Sequence, residues 1–467
     1  MVLQVSGTSI IGTSPFSNPN RSSDGGSVSS YGWTEQQPLA VTLASPSVVV
    51  LLDGDVLVTG GTTSSGPTAA TLIFDHELGI WRPGPTMSVQ RVGHTATLLK
   101  DGNVLVAGGQ TPSGVTSTAE RLDVSKSATL PLAHMNFARA GHAASLLADG
   151  SVLVTGGTDL TTTWKQAEKY DPVKNVWAPA SSMSTPRLFF ALSPLSNGAV
   201  LAVGGDASGT SEKYEPSTNS WSGVAKMNSV RSKFGISQLG DSRLVVAGGL
   251  AGAAPVSSSE TYDPGTNSWT RAGNMSIARA DFSLSTLDSG QSLAAGSYSA
   301  LGTTNTTELF DPSTRSWTPS KPMNHSRGAY GSAVIDDGWV LVIGGRSGNG
   351  LTASVELFSP RPIVVPEFCQ PKDLIPLVNN ATELRGNSGN GLIAKLLAAQ
   401  AKYDSRDFAV CINIMNAFNG QLKAFVRSGH ISSAHATELY DAYASVVRCL
   451  GGTPQPMIVS TATCSGR

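Results

Sequence analysis

The apolar residues of this chain come in short alternating segments that are joined in pairs by tight polar turns. In one such pair, residues 94–100 alternate, Asp101-Gly102-Asn103 forms the turn, and Val104-Leu-Val-Ala107 follows. Asp-Gly between two alternating segments is a strong β-hairpin signal. We therefore predict two antiparallel strands, a and b, in each repeat, with their Val, Leu and Ala residues nearest the centre of the fold.

A pair of glycines follows strand b at a nearly constant spacing. Successive copies are 48 residues apart, except for one step of 44 between the fourth and fifth copies. The copies are Gly60-Gly61, Gly108-Gly109, Gly156-Gly157, Gly204-Gly205, Gly248-Gly249, Gly296-Ser297 and Gly344-Gly345. A period of roughly 40 to 50 residues with strand-like filling is typical of β-propellers, so seven copies predict seven blades.

A second pair of predicted strands completes each repeat after a variable loop. Strand c contains Glu168-Lys-Tyr170-Asp-Pro in the third repeat, and similar segments begin at Glu212, Glu260 and Glu308. Strand d carries a tryptophan at positions Trp81, Trp177, Trp221, Trp269 and Trp317. We interpret these regular Tyr and Trp residues as packing between blades.

Paired glycines, then tyrosine, then tryptophan at these spacings resemble the kelch repeat family over residues 29–361. The resemblance implies a mainly β, seven-bladed β-propeller. The last repeat ends near Phe358 without a tryptophan strand, whereas Trp33 has no repeat of its own. We therefore expect the N-terminal strand to complete the last blade and cover its open edge. Residues 1–28, rich in Ser, Asn and Gly, are predicted to be a flexible extension.

Composition narrows the classes of function. Charged residues make up 14% of the chain and the formal net charge is -1, so the basic face that nucleic-acid binding requires is absent. No run approaches the ~18 apolar residues of a membrane span. The N-terminus lacks the pattern of a signal peptide, which leaves a removed signal, another export route or no export as alternatives.

The connections from strand d to the next strand a carry their own repeat. A methionine is followed four residues later by an arginine, and a ring-bearing residue comes three residues after that. The arginines are Arg91, Arg139, Arg187, Arg231, Arg279 and Arg327, and the rings are His94, His142, Phe190, Phe234, Phe282 and Tyr330. Only the first repeat departs, with Leu43 and Pro46. These connections share one propeller face with the long, variable b–c loops, so we expect this face to bind ligands.

Six arginines and six rings around one channel mouth allow two interpretations. In the first, they bind a carboxylate, a sulfate or a sugar. In the second, the arginines bind backbone carbonyls between blades and the rings fill the channel. Strict repetition favours the second, because a binding site usually breaks symmetry. His94 and His142 show no metal-ligand spacing, and we predict neither a metal nor a cofactor.

Two enzyme classes with kelch propellers bear on catalysis. The copper-radical oxidases need a tyrosine crosslinked to a cysteine, and no cysteine precedes Cys369, which excludes that chemistry. The sialic-acid isomerases work with ordinary polar and charged residues at the channel. A carbohydrate-modifying enzyme therefore stays an alternative, although we assign no catalytic residue.

The pattern changes after the linker at residues 361–366, and residues 362–467 form a second predicted domain. Apolar stripes with spacings of 3 and 4 predict helices over residues 391–403, from Phe408 to Phe425 and from Leu439 to Cys449. Three segments resemble the FIMAH domain of bacterial extracellular proteins: Leu392–Ala399, Ala417–Phe425 and Gly429–Ser432. The resemblance implies an extracellular bacterial setting and brings no catalytic residues.

All four cysteines lie in this second domain, at Cys369, Cys411, Cys449 and Cys464. An even count in a small segment indicates disulfides and an oxidising compartment, with buried free thiols as the alternative. Cys411 and Cys449 lie 19 residues on either side of His430. In antiparallel helices they come level, so Cys411–Cys449 is the preferred bridge and Cys369–Cys464 the second, out of three possible pairings.

Together these patterns predict a secreted or cell-surface binding or adhesion protein. Its propeller loop face would bind a glycan or a protein partner. One alternative is a structural subunit of an extracellular assembly that associates with itself. The other is a carbohydrate-modifying enzyme at the channel mouth, similar to the sialic-acid isomerases.

Overall fold

The computed structural model describes residues 28–29, 32–76, 79–299, 302–335, 338–360, 363–364 and 387–404, and the helical residues 415, 418, 419, 422, 439, 440 and 443. Their contacts divide the chain into two units. The first covers residues 31–361, and the second contains residues 28–29 and the residues described after 362.

The first unit contains seven antiparallel four-stranded sheets, which we call blades 1 to 7. In every blade the strands pair in the order a, b, c, d. The a strands of neighbouring blades pack against one another at six of the seven blade interfaces, so strand a lies innermost. The predicted mainly β, seven-bladed propeller is therefore confirmed.

The first four blades follow the chain without interruption. Blade 1 contains Ser47–Val50, Val56–Thr59, Thr71–Asp75 and Ile80–Pro83. Blade 2 contains Thr95–Leu98, Val104–Ala107, Ala119–Asp123 and Ala128–Pro131. Blade 3 contains Ala143–Leu146, Val152–Thr155, Ala167–Asp171 and Val176–Ala180. Blade 4 contains Ala191–Pro194, Val200–Val203, Ser211–Glu215 and Ser220–Val224.

The last three blades close the ring. Blade 5 contains Gly235–Gln238, Leu244–Ala247, Ser259–Asp263 and Ser268–Ala272. Blade 6 contains Ser283–Thr286, Ser292–Ser299, Gly302–Asp311 and Ser316–Ser320. Blade 7 contains Gly331–Ile335, Trp339–Ile343, Val355–Ser359 and Gly32–Gln36. Its outer strand thus comes from the N-terminal side of the chain and pairs Trp33 with Phe358.

Four b–c loops form short hairpins of their own. These hairpins belong to blades 1, 2, 5 and 7, and they pair Thr62–Thr63 with Gly66–Pro67, Gln110–Thr111 with Gly114–Val115, Leu250–Ala251 with Ala254–Pro255, and Arg346–Ser347 with Gly350–Leu351. In blade 6 strands b and c themselves extend into the loop, with a bulge between Ala295 and Ser297. The b–c face therefore carries raised hairpins on five of its seven blades.

The glycine pairs join each blade to the next one. A Cβ atom on Gly108 would lie 2.5 Å from the Arg139 carbonyl oxygen, and its φ is 65°. Gly109 then donates its N–H to the same oxygen at 2.8 Å. The equivalent bond recurs in all seven blades, including Ser297 to Arg327 and Gly345 to Leu43. Glycine is needed because a neighbouring backbone occupies the place of a side chain.

Tyrosine and tryptophan fill the outer part of the blade interfaces. The Tyr170 and Trp177 ring centroids lie 5.0 Å apart, and Trp177 Nε1 donates to the Ala133 carbonyl oxygen at 2.8 Å. Blades 4, 5 and 6 repeat the ring pair. Tilted aromatic contacts and a satisfied indole N–H are typical of structural packing.

The second unit contains a two-stranded sheet and one described helix. Val28–Ser29 pairs with Ile363–Val364. Helix α1 spans Asn387–Asp404 and buries Leu392, Leu396 and Ala399 completely. The predicted FIMAH-like helical domain stays a prediction, because most of residues 405–467 and all four cysteines lie outside the described residues.

Candidate functional site

Each predicted mouth arginine is held by a buried set of acceptors that we call an arginine clamp. Arg139 Nη1 donates to the carbonyl oxygens of Gly156 and Gln166 at 2.7 and 3.0 Å, and Nη2 donates to Glu168 at 2.9 Å. Glu168 also accepts the Asn136 N–H at 2.6 Å. The six clamps pair Arg91 with Glu120, Arg139 with Glu168, Arg187 with Glu212, Arg231 with Glu260, Arg279 with Glu308 and Arg327 with Glu356.

The six arginines are 0% exposed. Burial lowers the pKa of five of them, against the opposing effect of the paired glutamate: Arg91, Arg139, Arg231, Arg279 and Arg327. Burial of a charge is tolerated only where it is paired and hydrogen-bonded. The guanidinium groups offer no surface to a ligand in this conformation, so the geometry favours the second, structural interpretation of the mouth.

The six rings are buried with the arginines. The predicted residues His94, His142, Phe190, Phe234, Phe282 and Tyr330 are between 2% and 7% exposed. His94 Nε2 lies 2.9 Å from Thr59 Oγ1, and His142 Nε2 lies 3.0 Å from Thr95 Oγ1. Burial lowers the pKa of His142 to about 3 and lowers that of His94 as well. Both imidazoles are therefore neutral near pH 7 and fill space between blades.

Blade 1 replaces the clamp by a hydrophobic pair. Leu43 stands where the other blades have arginine, and Leu72 stands where they have glutamate. Leu43 is 3% exposed and belongs to a hydrophobic cluster against which Leu72 packs. The two halves of the clamp are thus exchanged together, and neither charge is left buried alone.

A ring of seven residues lies next to the clamps, two positions after each arginine. We call it the axial ring; it consists of Ser45, Gly93, Gly141, Phe189, Lys233, Asp281 and Ala329. Six backbone hydrogen bonds of 2.7 to 3.2 Å link these residues in order around the propeller axis. All seven have a left-handed backbone, with φ between 49° and 68°. The clamps are nearly uniform, whereas the axial ring differs from blade to blade.

The axial ring is asymmetric. Small residues occupy one arc, and three large side chains occupy the other. Lys233 Nζ lies 3.0 Å from Asp281 Oδ2 and 4.8 Å from the centroid of the Phe189 ring. A left-handed backbone costs a non-glycine residue about 1–2 kcal/mol, and two other blades place glycine here. Bulky side chains kept against that cost are candidates for function.

Asp281 is the most deeply buried charge of this arc. It is 2% exposed, and its Oδ1 atom has no hydrogen-bond partner in the part of the chain that is described. Burial raises the pKa of Asp281, and Lys233 offsets part of that rise. The Lys233 side chain is 15% exposed, so the ion pair extends from the buried Asp281 carboxylate to solvent.

Blade 4 differs from the other blades on the same face. Its b–c loop spans only residues 206–210, whereas the matching loop of blade 5 spans residues 250–258. The short loop leaves a cavity of about 240 Å³ between blades 4 and 5. We call it the blade-4 recess; its lining includes Leu188, Phe189, Ala207, Val230, Ser232 and Leu250.

Sequence reasoning missed the axial ring and the blade-4 recess. The signal for the ring was present, since one variable position lies between two repeated ones in every connection. A position that varies inside a uniform repeat is where a symmetric scaffold can carry individual chemistry. The step of 44 residues marked the short loop, but not the cavity that it leaves.

Metal chemistry finds no support in the described residues. They contain no cysteine, and no group of three or more His, Cys, Asp or Glu side chains within them could hold a metal ion. They do not fit a copper-radical site. Among the same residues, no helix combines the length and apolar character needed to span a membrane.

Comparison with protein families agrees with this architecture. A family model described as Kelch motif matches residues 239–276, which cover most of blade 5. No curated protein sequence matches the chain. The chain therefore carries a Kelch motif within a seven-bladed propeller, and this motif indicates protein binding in the general sense.

Two solved structures are similar to this chain. One is a fungal alcohol oxidase of the AA5 family in complex with copper, with 19% identity and a TM-score of 0.57 over 74% of this chain and 78% of that chain. The other is the YjhT protein, with 16% identity and a TM-score of 0.46 over 68% of this chain and 95% of that chain. At these identities the first likeness shows the fold alone, and the second is too weak to carry an argument.

Proposed function

We propose that this chain binds a partner protein through the face that carries the b–c hairpins, the axial ring and the blade-4 recess. The observation that carries the proposal is the axial ring. Its flanking arginines and rings repeat around the propeller, yet Phe189, Lys233 and Asp281 break the symmetry at backbone positions that disfavour them. Binding surfaces on a rigid scaffold are built in this way, from variable residues on uniform supports.

The structure supports a binding role better than the enzymatic alternative. The mouth arginines and histidines that a carbohydrate-modifying enzyme would use are buried, and the fold already engages them in contacts such as Arg139 with Glu168 and His94 with Thr59. The exposed part of the face consists of hairpins, small polar residues and a shallow apolar recess. Such a surface can match the shape of a partner protein.

The test exchanges axial-ring residues between blades. The triple variant Phe189→Gly, Lys233→Ser and Asp281→Ala takes its residues from positions 93, 45 and 329 of the same ring. A matched control, Leu52→Ser with Val173→Ser, changes two side chains that are 71% and 92% exposed on the opposite face. Immobilised wild type, variant and control are compared for proteins captured from extracts of the organism that encodes the chain.

We expect a set of proteins that is captured by wild type and control and lost with the triple variant. A glycan array and sedimentation velocity are run in parallel. Glycan binding without protein capture would replace the proposal by the glycan alternative. Self-association that the triple variant abolishes would replace it by the structural-subunit alternative. Equal capture by all three proteins would overturn it.

An extracellular location is part of the proposal and rests on Cys369, Cys411, Cys449 and Cys464. We expect alkylation of the denatured, unreduced protein to modify none of the four, and peptide mapping to find Cys411 joined to Cys449. Disulfides of this kind persist in oxidising compartments and are rare in the cytosol. Four alkylated thiols in protein purified without reductant would contradict this location.

A further inference from the structure

A backbone pairing that six blades share is missing in blade 4. In each of the six, the residue after the arginine position exchanges two hydrogen bonds with the first residue of the b–c loop. These pairs are Ala44 with Thr62, Val92 with Gln110, Ala140 with Thr158, Ser232 with Leu250, Ala280 with Tyr298 and Gly328 with Arg346. Each pair forms an isolated antiparallel bridge that closes the loop face of its blade.

In blade 4 the corresponding residue is Leu188, and its pairing is incomplete. Leu188 donates its N–H to the Gly205 carbonyl oxygen at 3.0 Å. Its own carbonyl oxygen accepts no hydrogen bond, and the N–H groups of Asp206 and Ala207 donate none, among the described residues. One acceptor and two donors of the main chain are therefore open where every other blade has a closed bridge.

These open groups lie in the lining of the blade-4 recess. Leu188, Asp206 and Ala207 all belong to it, beside the apolar side chains of Phe189, Val230 and Leu250. The Asp206 carboxylate is not free for a ligand, because it accepts the N–H and hydroxyl of Thr210 and lies 3.6 Å from Arg187 Nη1. The recess thus offers main-chain hydrogen bonds and apolar surface rather than charge.

The size of the recess limits its occupant. Its volume of about 240 Å³ lies below the roughly 300–1,000 Å³ of drug-sized ligand pockets. An extended peptide residue has one N–H and one C=O to match the open groups, and its side chain enters a pocket while the backbone pairs at the edge. Main-chain pairing of this kind supplies affinity, and the pocket supplies specificity.

We propose that the blade-4 recess binds one extended segment of a partner protein, with a Val, Leu or Ile side chain in the recess and backbone hydrogen bonds to Leu188 and to residues 206–207. This inference rests on the proposed function and names the chemistry of the partner at that face. The segment supplies the strand pairing that the trimmed loop of blade 4 omits.

The test uses a phage-displayed library of random peptides selected on the full chain. Selected sequences are made as blocked peptides, and their affinity is measured by fluorescence polarisation. Ala207→Trp fills the recess from an exposed position, and Ala253→Trp is the matched control on the exposed loop of blade 5. Thermal melting verifies that both variants fold.

We expect selected peptides to share an aliphatic residue, to bind Ala207→Trp at least about 10-fold more weakly and to bind Ala253→Trp within about twofold of wild type. N-methylation of the amide at the aliphatic residue should weaken binding about 10-fold, because it removes one hydrogen bond and adds a clash. Peptides that bind Ala207→Trp as well as wild type, or that tolerate N-methylation, would overturn the inference.

The same variants separate this inference from the proposed function. If captured proteins are lost with the axial-ring triple variant but retained by Ala207→Trp, protein binding at the face stands and the peptide site is wrong. If no captured protein depends on the axial ring, the proposed function fails. Aliphatic peptides that bind wild type and not Ala207→Trp would still establish the recess as a peptide site.

Discussion

Blades 1 and 4 both depart from the repeat, and they do so in opposite ways. Blade 1 departs in the interior, where Leu43 and Leu72 replace the arginine clamp and bury no lone charge. Blade 4 departs at the surface, where the trimmed loop leaves the Leu188 carbonyl and two neighbouring N–H groups open. The interior change is compensated within the blade, whereas the surface change is not. This uncompensated departure is the basis of the peptide site that we propose.

The largest expected effect comes from breaking one clamp. Arg139→Leu leaves Glu168 buried without its cation, and we expect a loss of about 3–5 kcal/mol in the free energy of unfolding. The double variant Arg139→Leu with Glu168→Leu imitates blade 1 and should recover most of that loss. Urea unfolding of wild type, both single variants and the double variant measures the coupling. A double variant no more stable than Arg139→Leu would show that blade 1 is compensated by something other than its leucine pair.

The histidines of blades 2 and 3 provide a second interior departure, since blades 4 to 6 have phenylalanine there. The pKa of His142 is lowered to about 3, while an unfolded histidine titrates near ~6.5. Between these values the unfolded chain binds more protons, so stability falls as pH falls, by about 1.4 kcal/mol per pH unit.

His142→Phe should remove the contribution of His142 to the pH dependence of stability while keeping a ring at that position, and it should leave the contribution of His94 in place. From pH 6.5 to pH 4 the difference amounts to about 3 kcal/mol in favour of the variant. Urea unfolding at several pH values measures it, and Phe190→Leu serves as a control that should leave the slope unchanged. An unaltered slope in His142→Phe would mean that the histidine is protonated in the folded protein.

Much of this fold could be predicted because the same sequence signals recur in every repeat. The glycine spacing and the Asp-Gly turns indicated the blades, and the repetition of Arg139 and its equivalents favoured a structural role. The glutamate partner could have been found as well. Arg and Glu are lost together in blade 1, at Leu43 and Leu72, and paired loss within one repeat is a sign of contact.

The axial ring and the open backbone groups of blade 4 could be recognised only from the three-dimensional structure. The variable residues Phe189, Lys233 and Asp281 lie 44 and 48 residues apart, and only the packing of consecutive blades brings them together. The open carbonyl of Leu188 is a backbone property that no side-chain pattern records. The disulfides and the helical domain stay predictions, because the residues that would test them lie outside the described part of the chain.

The axial ion pair should respond unequally to the loss of either partner. Lys233→Ala leaves the Asp281 carboxylate buried without a cation, and we expect a loss of about 2 kcal/mol at pH 7. Asp281→Ala leaves a lysine that is already 15% exposed and can reach water, so its loss should be about 1 kcal/mol.

The pH dependence of Lys233→Ala follows from the raised pKa of Asp281. Between the unfolded value of ~3.9 and the raised folded pKa, the folded chain binds more protons than the unfolded chain, so stability rises as pH falls through the raised pKa. The loss in free energy of unfolding caused by Lys233→Ala should therefore become smaller at acidic pH, whereas the loss caused by Asp281→Ala should not. Guanidinium unfolding at pH 7 and pH 5 measures both. Equal deficits at the two pH values would place the Asp281 carboxylate in contact with water.

The smallest effect on stability is expected from repairing blade 4. The repaired chain has residues 206–210 replaced by residues 250–258 of blade 5. The incoming loop provides the carbonyl acceptors that the arginine clamp of blade 4 needs. In blade 5, the Ser257 carbonyl accepts the Met275 N–H and the Ser258 carbonyl accepts Arg231 Nη1. The incoming loop also restores both hydrogen bonds of the missing bridge, which should raise the free energy of unfolding by about 1 kcal/mol.

The new hairpin should also fill the recess. We therefore expect the repaired chain to be slightly more stable than wild type and to bind the aliphatic peptides no longer. If the repaired chain still binds those peptides, the comparison between blades 1 and 4 fails, because the trimmed loop of blade 4 would then have no consequence for binding.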